Sequence, residues 1–158
     1  KKPPDFVPNF VGISFYYFYL FEAMEKTGVG DFTEQLEPWS AILEMGMSGK
    51  PEKRIEQHPR SEIHPWTAHP VHYYFSVVAG IRPGSPGFGS VHIKPVPGDL
   101  PYLKATYPTI KGKVQLDLSF EGESVSGSIV LPADMTGEFI WQGKSRELNQ
   151  GENQIRIP

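Results

Sequence analysis

Cysteine is absent from the 158 residues, which excludes disulfide bridges and thiolate metal sites and leaves the redox compartment open. Blocks of like charge are missing too. Fifteen Lys plus Arg against eighteen Asp plus Glu give a formal net charge of −3, and no basic stripe offers a footprint for nucleic acid or for an anionic membrane surface. The motifs of RNA- and DNA-binding folds do not occur. The longest apolar-rich run, ISFYYFYLFEAM, is interrupted by Glu22 and falls short of the roughly 20 residues that a bilayer-spanning helix needs. The opening KKPPDFVPNF lacks the charged-then-apolar order of a secretion signal. Neither a nucleic acid nor a membrane is therefore expected as a partner.

Proline and glycine are plentiful, sixteen of each, and they crowd between residues 80 and 101, where the periodicity of the chain changes. The length suits one domain or two small ones. Up to about Gly80 the pattern is helical. Ile13–Lys26 is apolar on nearly every side, with Phe15, Tyr16, Phe18, Tyr19, Phe21 and Met24, and Gly28 is its natural stop. A second helix is expected over Thr33–Met45, where Leu36, Trp39, Ile42 and Leu43 recur at three- and four-residue spacing. Pro38 inside it either kinks the helix or marks its first turn. A polar, proline-bearing loop, Gly46–Ala68, precedes a third helix over His69–Ala79, which Gly80 ends.

From residue 91 onward the apolar residues alternate with period two. Val91 and Ile93 begin the series; Leu103, Ala105 and Tyr107 follow, then Val114, Leu116, Leu118 and Phe120. Val125, Gly127, Ile129 and Leu131 continue it, as do Phe139 with Trp141 and Ile155 with Ile157. Turn-rich stretches such as FEGES, WQGKS and NQGEN separate these runs. Six or seven short strands with one apolar face describe an antiparallel β-sandwich, so the fold class is α+β. The helices pose a packing problem. A helix apolar all round has to be covered all round, and two partners cannot do that. Either the chain dimerises or it is the C-terminal portion of a longer polypeptide, and the second is expected.

The stretch SEIHPWTAHPVHYYF places His64, His69 and His72 close together around Trp66. As a metal motif it is incomplete, because no carboxylate or His-Glu-x-x-His pattern supplies the remaining ligands. No metal and no cofactor are expected. His69, followed by Pro70, reads as a helix N-cap with proline in the first turn. MSGKPE is not a phosphate loop, since Glu44 stands where its first glycine belongs and Pro51 replaces Ser or Thr. RPGSPGFG is a proline-stiffened linker between helix and strand. No Gly-x-Ser-x-Gly elbow occurs.

The segment HPWTAHPVHYYFSVVAGIRPGSPGFGSVHIKPVPGDL resembles the junction between the last helices of an (α/α)6 barrel and the following β-sandwich in the α-L-rhamnosidases of glycoside hydrolase family 78. His64, Trp66, Ala68, Pro70, Gly80, Ile81, Pro83, Pro86, Gly87, Phe88 and Pro95 match that pattern in order. ATYPTIKGKVQLDLSF and GENQIRIP resemble strands of the same terminal sandwich. The resemblance implies that residues 1–82 are the C-terminal helices of an incomplete catalytic barrel and that residues 83–158 form the closing sandwich. It implies a rhamnose-containing glycan or glycoside as substrate and the rest of the barrel as partner. A periplasmic or extracellular place is slightly favoured.

It also implies an inverting hydrolase whose general base lies on the loop GMSGKPEKRIEQHPRSEIH. Glu52 is the best positional match, although Ser48, Gly49, Lys50 and Pro51 stand where the family carries threonines and an apolar residue. Glu56 is the nearest rival, and a solvated loop carboxylate is the plain alternative for either. His64 matches a histidine that lines the sugar subsite, where an imidazole can hydrogen-bond a hydroxyl. Trp66 could offer its ring face to sugar C–H groups or serve only as packing. The general acid lies outside this chain, so isolated residues 1–158 should be inactive. The rival reading is a non-catalytic carbohydrate-binding or structural β-sandwich module. It would require exposed aromatics, whereas Tyr102, Tyr107, Phe120, Phe139 and Trp141 fall mostly on alternating apolar positions.

Overall fold

A computed structural model describes residues 16–27, 31–44, 46 and 63–158. The chain divides into two compact units, Lys1–Tyr73 and Tyr74–Pro158.

In the first unit, α1 spans Tyr17–Thr27 and buries Tyr17 and Phe21. Phe21 is 1% exposed because Phe32, Tyr73, Trp39, Tyr17 and the His69 ring surround it at centroid distances of 4.7–5.9 Å. Such edge-on and tilted contacts are the favoured aromatic geometry. Phe18, Leu20 and Met24 are only half-buried, and Tyr16 and Tyr19 are exposed. The second helical segment is a composite: a 3-10 turn over Thr33–Leu36 runs into α2, Glu37–Glu44. The Asp31 carboxylate caps it, accepting from the Thr33 amide at 2.7 Å and the Thr33 hydroxyl at 2.6 Å. Pro38 therefore occupies the first turn of α2, where its missing amide costs nothing. Leu43 departs from the expected apolar face and is 73% exposed. A 3-10 turn over Pro65–Ala68 and the short α3, Pro70–Tyr73, complete this unit.

The expected continuous helix over His69–Ala79 is thus replaced by pieces, the last a π-helical turn over Tyr74–Val78. The reason lies in its carbonyls. The Ala79 amide bonds the Tyr74 carbonyl at 2.9 Å, the Val96 amide donates to the carbonyls of Val77 and Val78, and Arg82 Nε donates to that of Ser76. A wider turn frees these acceptors for partners outside the helix. Gly80 then reverses the chain at φ +66°, where a Cβ would sit 2.0 Å from the Lys94 carbonyl oxygen.

Two four-stranded sheets make up the rest of the second unit. The first sheet has β1 (Ile81–Pro83), β2 (Ser90–Ile93), β6 (Thr136–Trp141) and β7 (Lys144–Leu148) in that order. The second has β3 (Tyr102–Thr109), β4 (Gly112–Glu121), β5 (Ser124–Leu131) and β8 (Gly151–Ile157), every pair antiparallel. The first sheet corrects the purely antiparallel expectation, because β2 runs parallel to β6, pairing Val91 with Gly137 and Ile93 with Phe139. The long connection from β2 through the whole of β3–β5 delivers β6 in that direction.

One core joins the two sheets. Val91, Ile93, Val114, Leu116, Leu118, Val125, Ile129, Leu131, Phe139, Trp141, Ile155 and Ile157 are buried in it, and Leu103, Ala105, Tyr107 and Phe120 pack against its margin. Apart from Gly127, the alternating residues read from the sequence are those that the sandwich buries or packs at its margin. Trp141 is fixed there by its indole N–H, which donates to the Glu123 carbonyl at 2.6 Å, and by Phe120 at 5.1 Å. Of the five aromatics that bear on a sugar-binding face, Tyr102 alone is exposed, at 68%.

Candidate functional site

The catalytic candidates Glu52 and Glu56 lie outside the described residues. His64 and Trp66 lie within them, on the short turn that opens with His64 in an extended conformation and continues through Pro65–Ala68. His64 is half-buried. Trp66 is 49% exposed, with part of its ring against Phe18 at 6.1 Å and Tyr19 at 6.4 Å. It packs on α1 and still presents surface, so both roles considered for it are compatible with its position.

This turn is held from below by a polar and aromatic layer. The Thr67 hydroxyl and amide both donate to the His64 carbonyl, at 2.8 and 2.9 Å. Trp39 Nε1 donates to the Thr67 carbonyl at 2.9 Å. His69 Nδ1 lies 2.9 Å from the Trp66 carbonyl and must donate to it, since a carbonyl can only accept. That fixes the tautomer and leaves Nε2 as a buried lone pair with no hydrogen-bond partner among the described residues. The rings of Trp39, Phe21, Phe18 and Tyr73 enclose the imidazole at 5.1–6.1 Å. Burial pushes the pKa of His69 below 6.5, only partly offset by the bond to Trp66. His69 does not take the extended backbone of an N-cap; it is helical and ends the 3-10 turn.

Beside this layer, Tyr73 donates to Glu22 at 3.1 Å. Burial first, and then the Glu22 carboxylate, push its phenol well above the usual range. Lys26 and Tyr73 together hold the Glu22 carboxyl below 4.5. His72 is exposed and lies edge-on to Tyr73, so the three neighbouring histidines face different surroundings. Among the described residues no group of three His, Asp or Glu side chains is arranged to hold a metal. Sequence spacing had marked Trp39 as a core residue; its indole bond to a backbone 28 positions away leaves no local signal.

The sandwich unit carries a separate open groove of about 470 Å³, lined by residues including Ser90, His92, Thr136, Glu138, Glu147 and Asn149. Cross-strand pairing places His92, Glu138 and Glu147 in one row, and Glu138 accepts a hydrogen bond from Ser145 at 2.5 Å. The lining contains no Phe, Tyr or Trp, so it lacks the broad ring face on which sugars usually stack.

Residues 80–156 match the family model described as the bacterial alpha-L-rhamnosidase C-terminal domain. Among solved structures, the chain is similar to a GH78 family rhamnosidase of Bacillus sp. GL1, at 21% identity and a TM-score of 0.71 over 82% of this chain and 15% of that one. It is also similar to the alpha-L-rhamnosidase from Dictyoglumus thermophilum, at 23% identity and a TM-score of 0.60 over 71% of this chain and 16% of the other. A third is the Streptomyces avermitilis alpha-L-rhamnosidase complexed with L-rhamnose, at 17% identity and a TM-score of 0.60 over 76% and 15% of the two chains. No curated protein matches. The chain thus spans about a sixth of the length of the solved relatives, and at these identities the likeness is one of fold. Over residues 80–156 the chain is thus similar to the bacterial alpha-L-rhamnosidase C-terminal domain family.

Proposed function

We propose that this chain is the C-terminal part of an inverting α-L-rhamnosidase-like glycoside hydrolase. Residues 1–82 would supply the last helices of an (α/α)6 barrel with the base-bearing loop, and residues 83–158 the closing sandwich. The observation that carries the proposal is the match of residues 80–156 to a domain family of rhamnosidases. The exposure of Tyr19 on α1 and of Trp66 on the turn packed against it supports the proposal, since barrel helices without their neighbours would leave such aromatics at the surface.

Inversion needs a carboxylic acid and a carboxylate roughly 6.5–9.5 Å apart, with a water between the base and the sugar. In this reading Glu52 takes a proton from that water as its oxygen bonds to the anomeric carbon. The bond to the leaving oxygen breaks on the opposite face, and that oxygen is protonated by an acid outside this chain. His64 hydrogen-bonds a sugar hydroxyl, and Trp66 offers its exposed ring surface to the sugar's C–H groups.

The test is Glu52→Gln in the longer polypeptide that contains this chain, assayed on an aryl α-L-rhamnoside. Loss of general-base participation should lower kcat by about 10²–10⁴-fold, and the wild-type product should first appear as the β anomer. Near-full turnover by the variant would remove Glu52 from the role and leave Glu56→Gln as the next substitution to make.

A further inference from the structure

We infer that Trp39, Thr67 and His69 are positioning residues that hold the His64–Trp66 turn in the geometry a sugar meets, an inference that rests on the proposed roles of His64 and Trp66. A 3-10 turn of four residues has poor intrinsic hydrogen-bond geometry and does not persist unaided. Here the carbonyls of His64, Trp66 and Thr67 are each engaged by a side chain: the Thr67 hydroxyl, the His69 imidazole and the Trp39 indole. The donors come from below the turn, where Thr67 is 0% exposed and His69 is buried. The residues that could meet a ligand, His64 and Trp66, stand on its more open side. Trp39 reaches the turn from α2 and lies edge-on to the His69 ring at 5.1 Å and 89°, so two of the three donors brace each other. A turn ordered before binding spares the ligand the entropy of ordering it. The brace should therefore act on ground-state affinity rather than on the chemical step.

The experiment compares Thr67→Val, Thr67→Ser and Trp39→Phe with the wild type in the longer polypeptide, measuring kcat and KM on an aryl α-L-rhamnoside. Thr67→Val keeps the branched shape and removes the hydroxyl donor; Thr67→Ser keeps the donor. Thr67→Val and Trp39→Phe should each raise KM by about tenfold with kcat nearly unchanged, while Thr67→Ser stays close to the wild-type KM. A wild-type KM in both donor-deleted variants, a loss confined to kcat, or a serine variant as impaired as the valine one overturns the brace. If the wild-type polypeptide cleaves no rhamnoside, the functional proposal fails on its own, and amide hydrogen exchange over residues 64–69 decides the brace. Exchange accelerated by about tenfold in Thr67→Val and Trp39→Phe, but not in Thr67→Ser, upholds it; unaltered exchange overturns it.

Discussion

His69 gives the sharpest case of a single residue whose environment decides its chemistry. From the sequence it is a histidine before a proline, and its role reads as structural. The structure adds the reason: the ring is walled by Phe18, Phe21, Trp39 and Tyr73, donates through Nδ1 to Trp66, and has no acceptor for a second proton among the described residues. The folded state therefore binds a proton less readily than the unfolded chain. Where the unfolded state holds more protons, stability rises with pH, so the contribution is complete above pH 6.5, the ordinary value, and is lost as the pH falls below it. Glu22 acts in the same sense but only below 4.5, because its carboxyl is held down by Lys26 and Tyr73. Stability of the first unit, followed by tryptophan fluorescence, should thus fall as the pH drops below 6.5, ahead of the Glu22 step that begins below 4.5. His69→Phe should flatten that slope and leave the more acidic one.

Elements differ in how openly the sequence announces them. The strands of the second sheet were legible because each alternates apolar and polar residues against a core that takes every second side chain. β7 was not. Its residues Lys144–Leu148 bury only Leu148, since an edge strand of the first sheet owes its place to backbone pairing with β6 rather than to a packed face. The parallel pairing of β2 with β6 was equally hidden, because a period of two carries no direction. The π turn escaped for another reason: its shape answers to the Val96 amide and the Arg82 side chain, both beyond the Gly80 turn and outside the helical pattern. The same contrast predicts stability. Leu118→Ala, in the middle of β4 with no exposure, should cost about 2–5 kcal/mol in urea unfolding. Tyr102→Ala, at the exposed start of β3, should stay within about 0.5 kcal/mol.

The two units stand in different relations to the sequence that encodes them. The sandwich closes over its own apolar residues, which is why its core could be named residue by residue. Among the described residues of the helical unit, by contrast, Tyr19, Leu43, Ile63, Trp66 and Val71 are exposed, although helical spacing alone marks several of them as interior. The amphipathic pattern is correct about the need for cover and silent about its source. Under the proposed function that cover is the rest of an (α/α)6 barrel, and the acid catalyst would arrive with it. Two outcomes follow from one cause. The isolated 158-residue chain should bind an apolar dye such as anilinonaphthalene sulfonate strongly and cleave no aryl rhamnoside. The longer polypeptide should bind far less dye per molecule and turn the substrate over. Cleavage by the isolated chain would place both carboxyl groups within it and remove the need for the missing barrel. Weak dye binding by that same chain would mean that α1 and its neighbours are covered by other means, a second copy being the first to test by sedimentation.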